Sequence, residues 1–218
     1  MAVPFLDRHE AGRQLAAKLS HYRRAADALV LALPRGGVPV GYEVARNLNL
    51  PLDIFLVRKL GVPGHEELAM GAIASGGVRV LNRDVVESLH ISAAVLDMVA
   101  AREARELERR EHDYRGNRPT PDLKGRTVIL VDDGLATGST MRAAIAALQR
   151  AGAGRIVVAV PVAAQRVCRE FEDEADEIVC AESPEDLYSV GQWYIDFSQT
   201  SDEEVRELLA EAPQWLSH

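Results

Sequence analysis

The stretch that most constrains this chain is Val128-Ile-Leu-Val131, followed at once by Asp132-Asp133 and then by a turn of small and hydroxyl residues up to Thr140. Four consecutive apolar residues read as a strand buried on both faces. Met141 to Ala151 continue as an apolar-periodic helix, which Gly152 terminates. A strand that ends in acids and reaches a helix through Gly134, Leu135, Ala136, Thr137, Gly138, Ser139 and Thr140 is suited to holding an anion beside hydroxyl groups. The helix start offers unpaired backbone N–H groups and the positive end of a dipole, and Gly138 lets a ligand approach the backbone. One of the hydroxyls is expected to cap the helix. Each residue alone would also suit an ordinary strand–turn–helix; two adjacent acids at the mouth of a buried strand would not.

The rest of the chain places this stretch in a layered α/β architecture. Asp7 followed by Glu10 has the form of a helix start, and Ala11, Leu15, Leu19 and Tyr22 carry an amphipathic helix to about Arg24. Ala28 to Leu33 is a buried strand ending in Pro34-Arg-Gly-Gly37, with a helix from Val38 to about Leu48. Pro51 to Val57 is a second strand, with Arg58 and Lys59 at its C-terminal end. From Leu60 to Gly77 six glycines and prolines break the pattern, predicting a loop with at most a short hairpin, and Val78 to Leu81 returns as a strand. A charged helix runs from Ser92 to about Tyr114, its alternating Arg and Glu residues forming a solvated face of neighbouring-turn ion pairs. Beyond the central stretch, Ile156–Val160, Gln165–Glu174 and Glu177–Cys180 read as strand, helix and strand. Alternation of this kind implies βαβ units: an open, mostly parallel twisted sheet with helices on both faces. One core over about 26–181 with a small cap from about 1–25 and 182–218 makes a single domain.

Composition excludes several alternatives. A net charge of −8 over 218 residues speaks against a dominant nucleic-acid surface. No run approaches eighteen apolar residues, and the N-terminus lacks a basic region leading into an apolar one, so neither a membrane span nor a signal peptide is expected. The two cysteines, Cys168 and Cys180, lack metal-ligand spacing and read as structural thiols of a cytoplasmic protein.

The segment Asp132-Asp-Gly-Leu-Ala-Thr-Gly-Ser-Thr140 resembles the signature of the type I phosphoribosyltransferases, which bind phosphoribosyl pyrophosphate (PRPP). No Gly-Lys-Ser/Thr occurs where a Walker-type loop needs it. The resemblance implies that Asp132 and Asp133 hold the ribose hydroxyls, while the turn to Thr140 wraps the 5′-phosphate. It turns Arg35, Gly36 and Gly37, otherwise a plain tight turn, into a pyrophosphate-binding loop, and gives Lys59 a place facing pyrophosphate. Asp132, Asp133, Arg35 and Lys59 are thus the expected catalytic set, with Mg²⁺ carried mostly by substrate and water. The 60–77 stretch, with His65, Glu66 and Glu67, falls where the family has a loop that closes over the ligands.

The segment from Pro184 to Phe197 is similar in part to one in purine-salvage members, with Gln192-Trp193 inserted. There the acid lies near Mg²⁺ and pyrophosphate, the place of Asp196, and aromatics lie near the base, the places of Trp193, Tyr194 and Phe197. An aromatic cluster cementing a C-terminal lobe is the equal alternative. The strand end from Val160 to Gln165 lacks the lysine of 6-oxopurine enzymes, leaving the acceptor base unassigned. The implied activity is phosphoribosyl transfer to a nitrogen nucleophile by a homodimer, with small-molecule substrates and no nucleic acid or membrane partner; a PRPP-sensing regulator without catalysis is the alternative.

Overall fold

A computed structural model describes residues 4–212. Five parallel strands form the main sheet: β1 (Ala28–Ala32), β2 (Leu52–Ile54), β6 (Thr127–Val131), β7 (Arg155–Val162) and β8 (Glu177–Glu182), in the order β2-β1-β6-β7-β8. The apolar runs are continuous because both faces are covered. Val30 and Ala32 join Ile129 and Val131 in one core, while Leu29 and Leu31 join Val128 and Leu130 in the other. Register keeps this alternation in phase across strands, with Val30 opposite Ile129 and Leu31 opposite Leu130. Helices α1 (Arg8–Lys18), α2 (Gly37–Leu48) and α7 (Asp202–Glu211) contribute Leu15, Val44 and Leu209 to the first core. Helices α5 (Ser139–Arg150) and α6 (Gln165–Phe171) contribute Leu148 and Phe171 to the second.

Two sequence-based boundaries change around the first strands. Helix α1 ends at Lys18 rather than near Arg24, and a 3₁₀ turn follows over Ser20–Tyr22. Arg24 then takes a φ of 57° and donates its N–H to Leu48 O at 2.9 Å, which steers the chain into β1. The strand expected over 51–57 divides: Phe55 N still donates to Ala32 O, but Leu56 exchanges bonds with Ser75, N to Oγ and O to N, both at 2.9 Å. Ser75 thereby takes the chain out of the main sheet into β3 (Val57–Val62), so Arg58 and Lys59 lie in β3 and not at the end of a core strand.

The 60–77 stretch, expected to be a loop with at most a short hairpin, is a full β-hairpin, and with Val78–Leu81, a strand as expected, it forms a second sheet. β3, β4 (His65–Ala74) and β5 (Val78–Leu81) pair antiparallel. Gly71 misled the reading: a Cβ there would sit 2.4 Å from Val80 O, so its glycine permits close strand pairing rather than irregularity. Helix α3 (Arg83–Ser88) and the long α4 (Ala93–Arg115), capped by Ser92, return the chain to β6. α7 packs against α2 and α4, and α1 lies along α2, β7 and β8. Positions 1–3 and 213–218 of the expected cap lie outside the described residues.

Candidate active site

β6 delivers both acids to the C-terminal end of the sheet, where open α/β folds bind ligands. Asp132 is half-buried, and its Oδ1 accepts from the Asp133 amide at 2.9 Å. Burial, reinforced by the neighbouring carboxylate, pushes its pKa well above the ordinary carboxylate range. Asp133 is also raised by burial, against the pull of Arg8. Arg8, in the first turn of α1, places Nε and Nη2 each 2.9 Å from Asp133 Oδ2. Its Nη1 donates to Ser198 O at 2.6 Å, and its guanidinium lies 4.0 Å from the centroid of the Phe197 ring. Nothing local in the sequence marks Arg8, which lies 125 residues from its partner.

The glycine turn after β1 meets the acids directly. A Cβ at Gly36 would lie 2.1 Å from Asp133 Oδ2, and one at Gly37 would lie 2.8 Å from Val131 O, so only glycine lets the two segments touch. The Pro34–Arg35 peptide is cis. Arg35 itself turns elsewhere: its Nη1 is 3.8 Å from Asp202 Oδ1 of α7. There it borders a cavity of about 220 Å³ with Arg109, Arg110, Tyr114, Asp202 and Arg206. Tyr114 donates its hydroxyl to Asp202 Oδ1 at 2.5 Å, and burial followed by that carboxylate pushes its pKa up to about 12.

The turn from Gly134 to Thr140 is anchored at its base. Leu135 N donates to Val162 O at 2.9 Å, and Val190 packs so closely on Gly134 that a Cβ would lie 2.4 Å from it. No hydroxyl caps α5. Its N-cap is Gly138, at φ 76°, which has no side-chain oxygen to offer. The Gly138 backbone rests on the Phe171 ring, and Arg142 braces the turn by donating to Thr137 O at 2.8 Å. Ala136, Thr137, Ser139 and Thr140 line the turn above this floor, all four exposed. Lys59 borders a cleft of about 150 Å³ together with Ser139 and Thr140, so β3 brings it to the helix start. Its Nζ is 3.4 Å from Glu67 Oε2, whereas Arg58 is committed to Glu103 of α4 at 2.7 Å. His65 and Glu66 lie on the exposed outer half of the hairpin.

Of the aromatics, Tyr194 is buried, packs against Phe5 and Phe197, and donates its hydroxyl to Asp133 O at 2.5 Å. Burial and the nearby Asp133 charge raise its pKa. Trp193 is half-buried and accepts the Phe5 N–H on its carbonyl at 2.8 Å; Phe197 stays 37% exposed. Asp196 is exposed, and the Ser198 amide holds its carboxyl below the usual range. The segment thus ties both chain ends together beside the acids. Among the described residues no group of three or more His, Cys, Asp or Glu could enclose a metal ion, and no helix is long and apolar enough to cross a membrane.

Comparison with known proteins gives a consistent result. A family model described as phosphoribosyl transferase domain matches residues 6–197. The Mycobacterium tuberculosis protein Rv0571c, provisionally named a phosphoribosyl transferase, is 48% identical over 208 residues, which are 95% of this chain and 47% of that one. The chain therefore spans about half the length of its Mycobacterium tuberculosis relatives. A uracil phosphoribosyltransferase of Lactobacillus gasseri is 32% identical over 175 residues, covering 77% of this chain and 80% of its own. The crystal structure of TT1426 from Thermus thermophilus superposes with a TM-score of 0.82 at 41% identity, covering 96% of this chain and 99% of that one. The chain belongs to the phosphoribosyl transferase domain family.

Proposed function

We propose that the chain transfers the 5-phosphoribosyl group of PRPP to a nitrogen nucleophile and releases pyrophosphate. The observation that carries this reading is the contact of the Asp132–Asp133 pair with the Gly36–Gly37 turn, at a strand end that leads into an uncapped helix start. Among the described residues Asp132 accepts only from its neighbour's amide, a shortfall that ribose hydroxyls would fill, and the amides of α5 and the hydroxyls of the turn suit a 5′-phosphate. In the reaction the nucleophile's lone pair attacks the anomeric carbon, the bond from that carbon to the pyrophosphate oxygen breaks with inversion, and the nucleophile loses its proton. Positive charge develops on the ribose ring, where Asp132 and Asp133 stabilise it; negative charge develops on the leaving group, where the 34–37 turn and Lys59 act. Anchoring of the 5′-phosphate positions the ring.

Mg²⁺ fits this donor set as an ion held mainly by diphosphate oxygens and water, with Asp132, Asp133 and the exposed Asp196 as the nearby carboxylates. When bound it neutralises charge on the leaving group. The rival reading is PRPP sensing without turnover. It is favoured by Arg8 already occupying Asp133 Oδ2 and by Arg35 facing Asp202. A screen of nucleobases with PRPP and Mg²⁺, read by pyrophosphate release, decides between them. Turnover with one base, abolished in the Asp132→Asn/Asp133→Asn double variant while the fold persists, is the expected result. PRPP binding without release from any base would support the sensor, and full activity in the double variant would sink the site assignment.

A further inference from the structure

The sequence contains two cysteines and the fold brings them together. Cys168 lies in α6 and Cys180 in β8, the edge strand of the main sheet, and their Sγ atoms are 2.9 Å apart as free thiols. Closing that gap to a disulfide bond requires an approach of about 0.9 Å, within the reach of small side-chain rotations. Both residues are half-buried. The contact of Cys168 Sγ with the Ser183 hydroxyl, at 3.6 Å, is exposed, whereas the contact between the two sulfurs is half-buried.

We propose that Cys168 and Cys180 form a dithiol modification site that closes to an intramolecular disulfide on meeting a small-molecule disulfide oxidant. The Cys168 thiolate attacks one sulfur of the oxidant RSSR, forming a mixed disulfide and expelling RS⁻. Cys180 loses its proton and attacks the Cys168 sulfur, and a second RS⁻ leaves. The two thiol protons end on the two released thiols, so one RSSR becomes two RSH and the protein loses two hydrogens. The exposed Cys168–Ser183 contact gives the oxidant its approach to Cys168, and Cys180, whose thiol burial pushes up, resolves the mixed disulfide from the half-buried side.

The bond would lock a helix that supports the anion turn. α6 ends at Phe171, whose ring underlies Gly138, and it carries Glu170, which accepts from Arg142 Nη2 at 2.8 Å. Arg142 in turn donates to Thr137 O. Tying α6 to β8 therefore restricts the floor of the turn from Gly134 to Thr140. This holds whether or not the chain catalyses phosphoribosyl transfer.

The test is incubation of the whole folded chain with oxidised glutathione, followed by intact mass, thiol titration and peptide mapping. The expected product is two hydrogen masses lighter, has no titratable thiol, joins the Cys168 and Cys180 peptides, and reverts with a dithiol reductant. Cys180→Ser should instead stop at the glutathione adduct on Cys168. Amide exchange over 165–171 should slow on oxidation of the natural chain and stay unchanged in oxidant-treated Cys168→Ser. Two thiols persisting after prolonged exposure, a stable double glutathione adduct, or a linkage between two chains would overturn the proposal.

Discussion

The two strands flanking β1 each present an aspartate toward the C-terminal end of the sheet, Asp53 buried and Asp132 half-buried, and the fold treats them oppositely. Asp53 of β2 meets Arg115, whose Nε is 3.1 Å from both carboxylate oxygens. Arg115 spends its remaining donors on Ile54 O and Thr120 Oγ1, each at 3.2 Å, and Asp53 Oδ1 also accepts from the Ile54 amide at 2.7 Å. That charge is answered within the protein. Asp132, at the end of β6, has only its neighbour's amide and lies beside a second carboxylate. A buried charge answered within the protein fastens α4 to the sheet edge; a half-buried one with a single amide donor is open for a ligand to complete.

Arg115→Leu offers the largest effect. Removing one partner of a buried pair leaves the other uncompensated, so the variant should lose about 3–5 kcal/mol in urea unfolding. Replacing both residues with apolar ones, Asp53→Leu with Arg115→Leu, should recover most of that loss. A single-variant loss under about 1 kcal/mol would erase the contrast between the two aspartates.

Asp132→Asn should behave in the opposite sense. The folded pKa of Asp132 lies above its unfolded value, so its contribution to stability is fully present below about pH 3.9 and is lost as pH rises toward the folded value. Asparagine removes that ionisation cost. Relative to the natural chain, the variant should gain stability between about pH 4 and pH 7, while losing pyrophosphate release. Paired unfolding curves at the two pH values measure this. A natural chain that gains on the variant across that interval would show that Asp132 is a structural charge like Asp53.

How far the sequence could be read follows the same division between local and distant determinants. The parallel strands were legible because continuous apolar runs state burial on both faces, as Ala28–Ala32 and Thr127–Val131 do. The acid pair and the turn after it were legible because their chemically demanding positions are contiguous. Of the second sheet only Val78–Leu81 was legible: the glycines of the hairpin before it mark tight strand pairing, but in sequence they look the same as loop glycines. Arg8 was missed for another reason. Its partner lies on a different element 125 residues away, and a basic residue opening an amphipathic helix ordinarily signals nothing beyond solvation. Arg35 shows the limit of placement by motif, because the turn sits where expected while its guanidinium points at α7. The expected hydroxyl cap on α5 failed for a local reason, since a left-handed Gly138 occupies the capping position.

Lys59 is the smallest test of the contrast, since it sits on the rim, where a charge can matter to a ligand without mattering to the fold. Its side chain is 47% exposed, and its partner Glu67, 3.4 Å away, is fully exposed, so the pair contributes little in solvent. Lys59→Ala should therefore shift unfolding by less than about 0.5 kcal/mol. Its effect belongs on the ligand: the cleft it shares with Ser139 and Thr140 places one positive charge near the helix start. Losing that charge should raise the KM for PRPP by roughly five- to tenfold, equivalent to about 1–1.4 kcal/mol, with a smaller penalty at high salt, where screening already weakens it. Glu67→Gln should move KM the other way, because it frees the ammonium group from its carboxylate. If both variants match the natural chain at low salt, Lys59 is surface charge and the anion rests on α5 and the glycine turn alone.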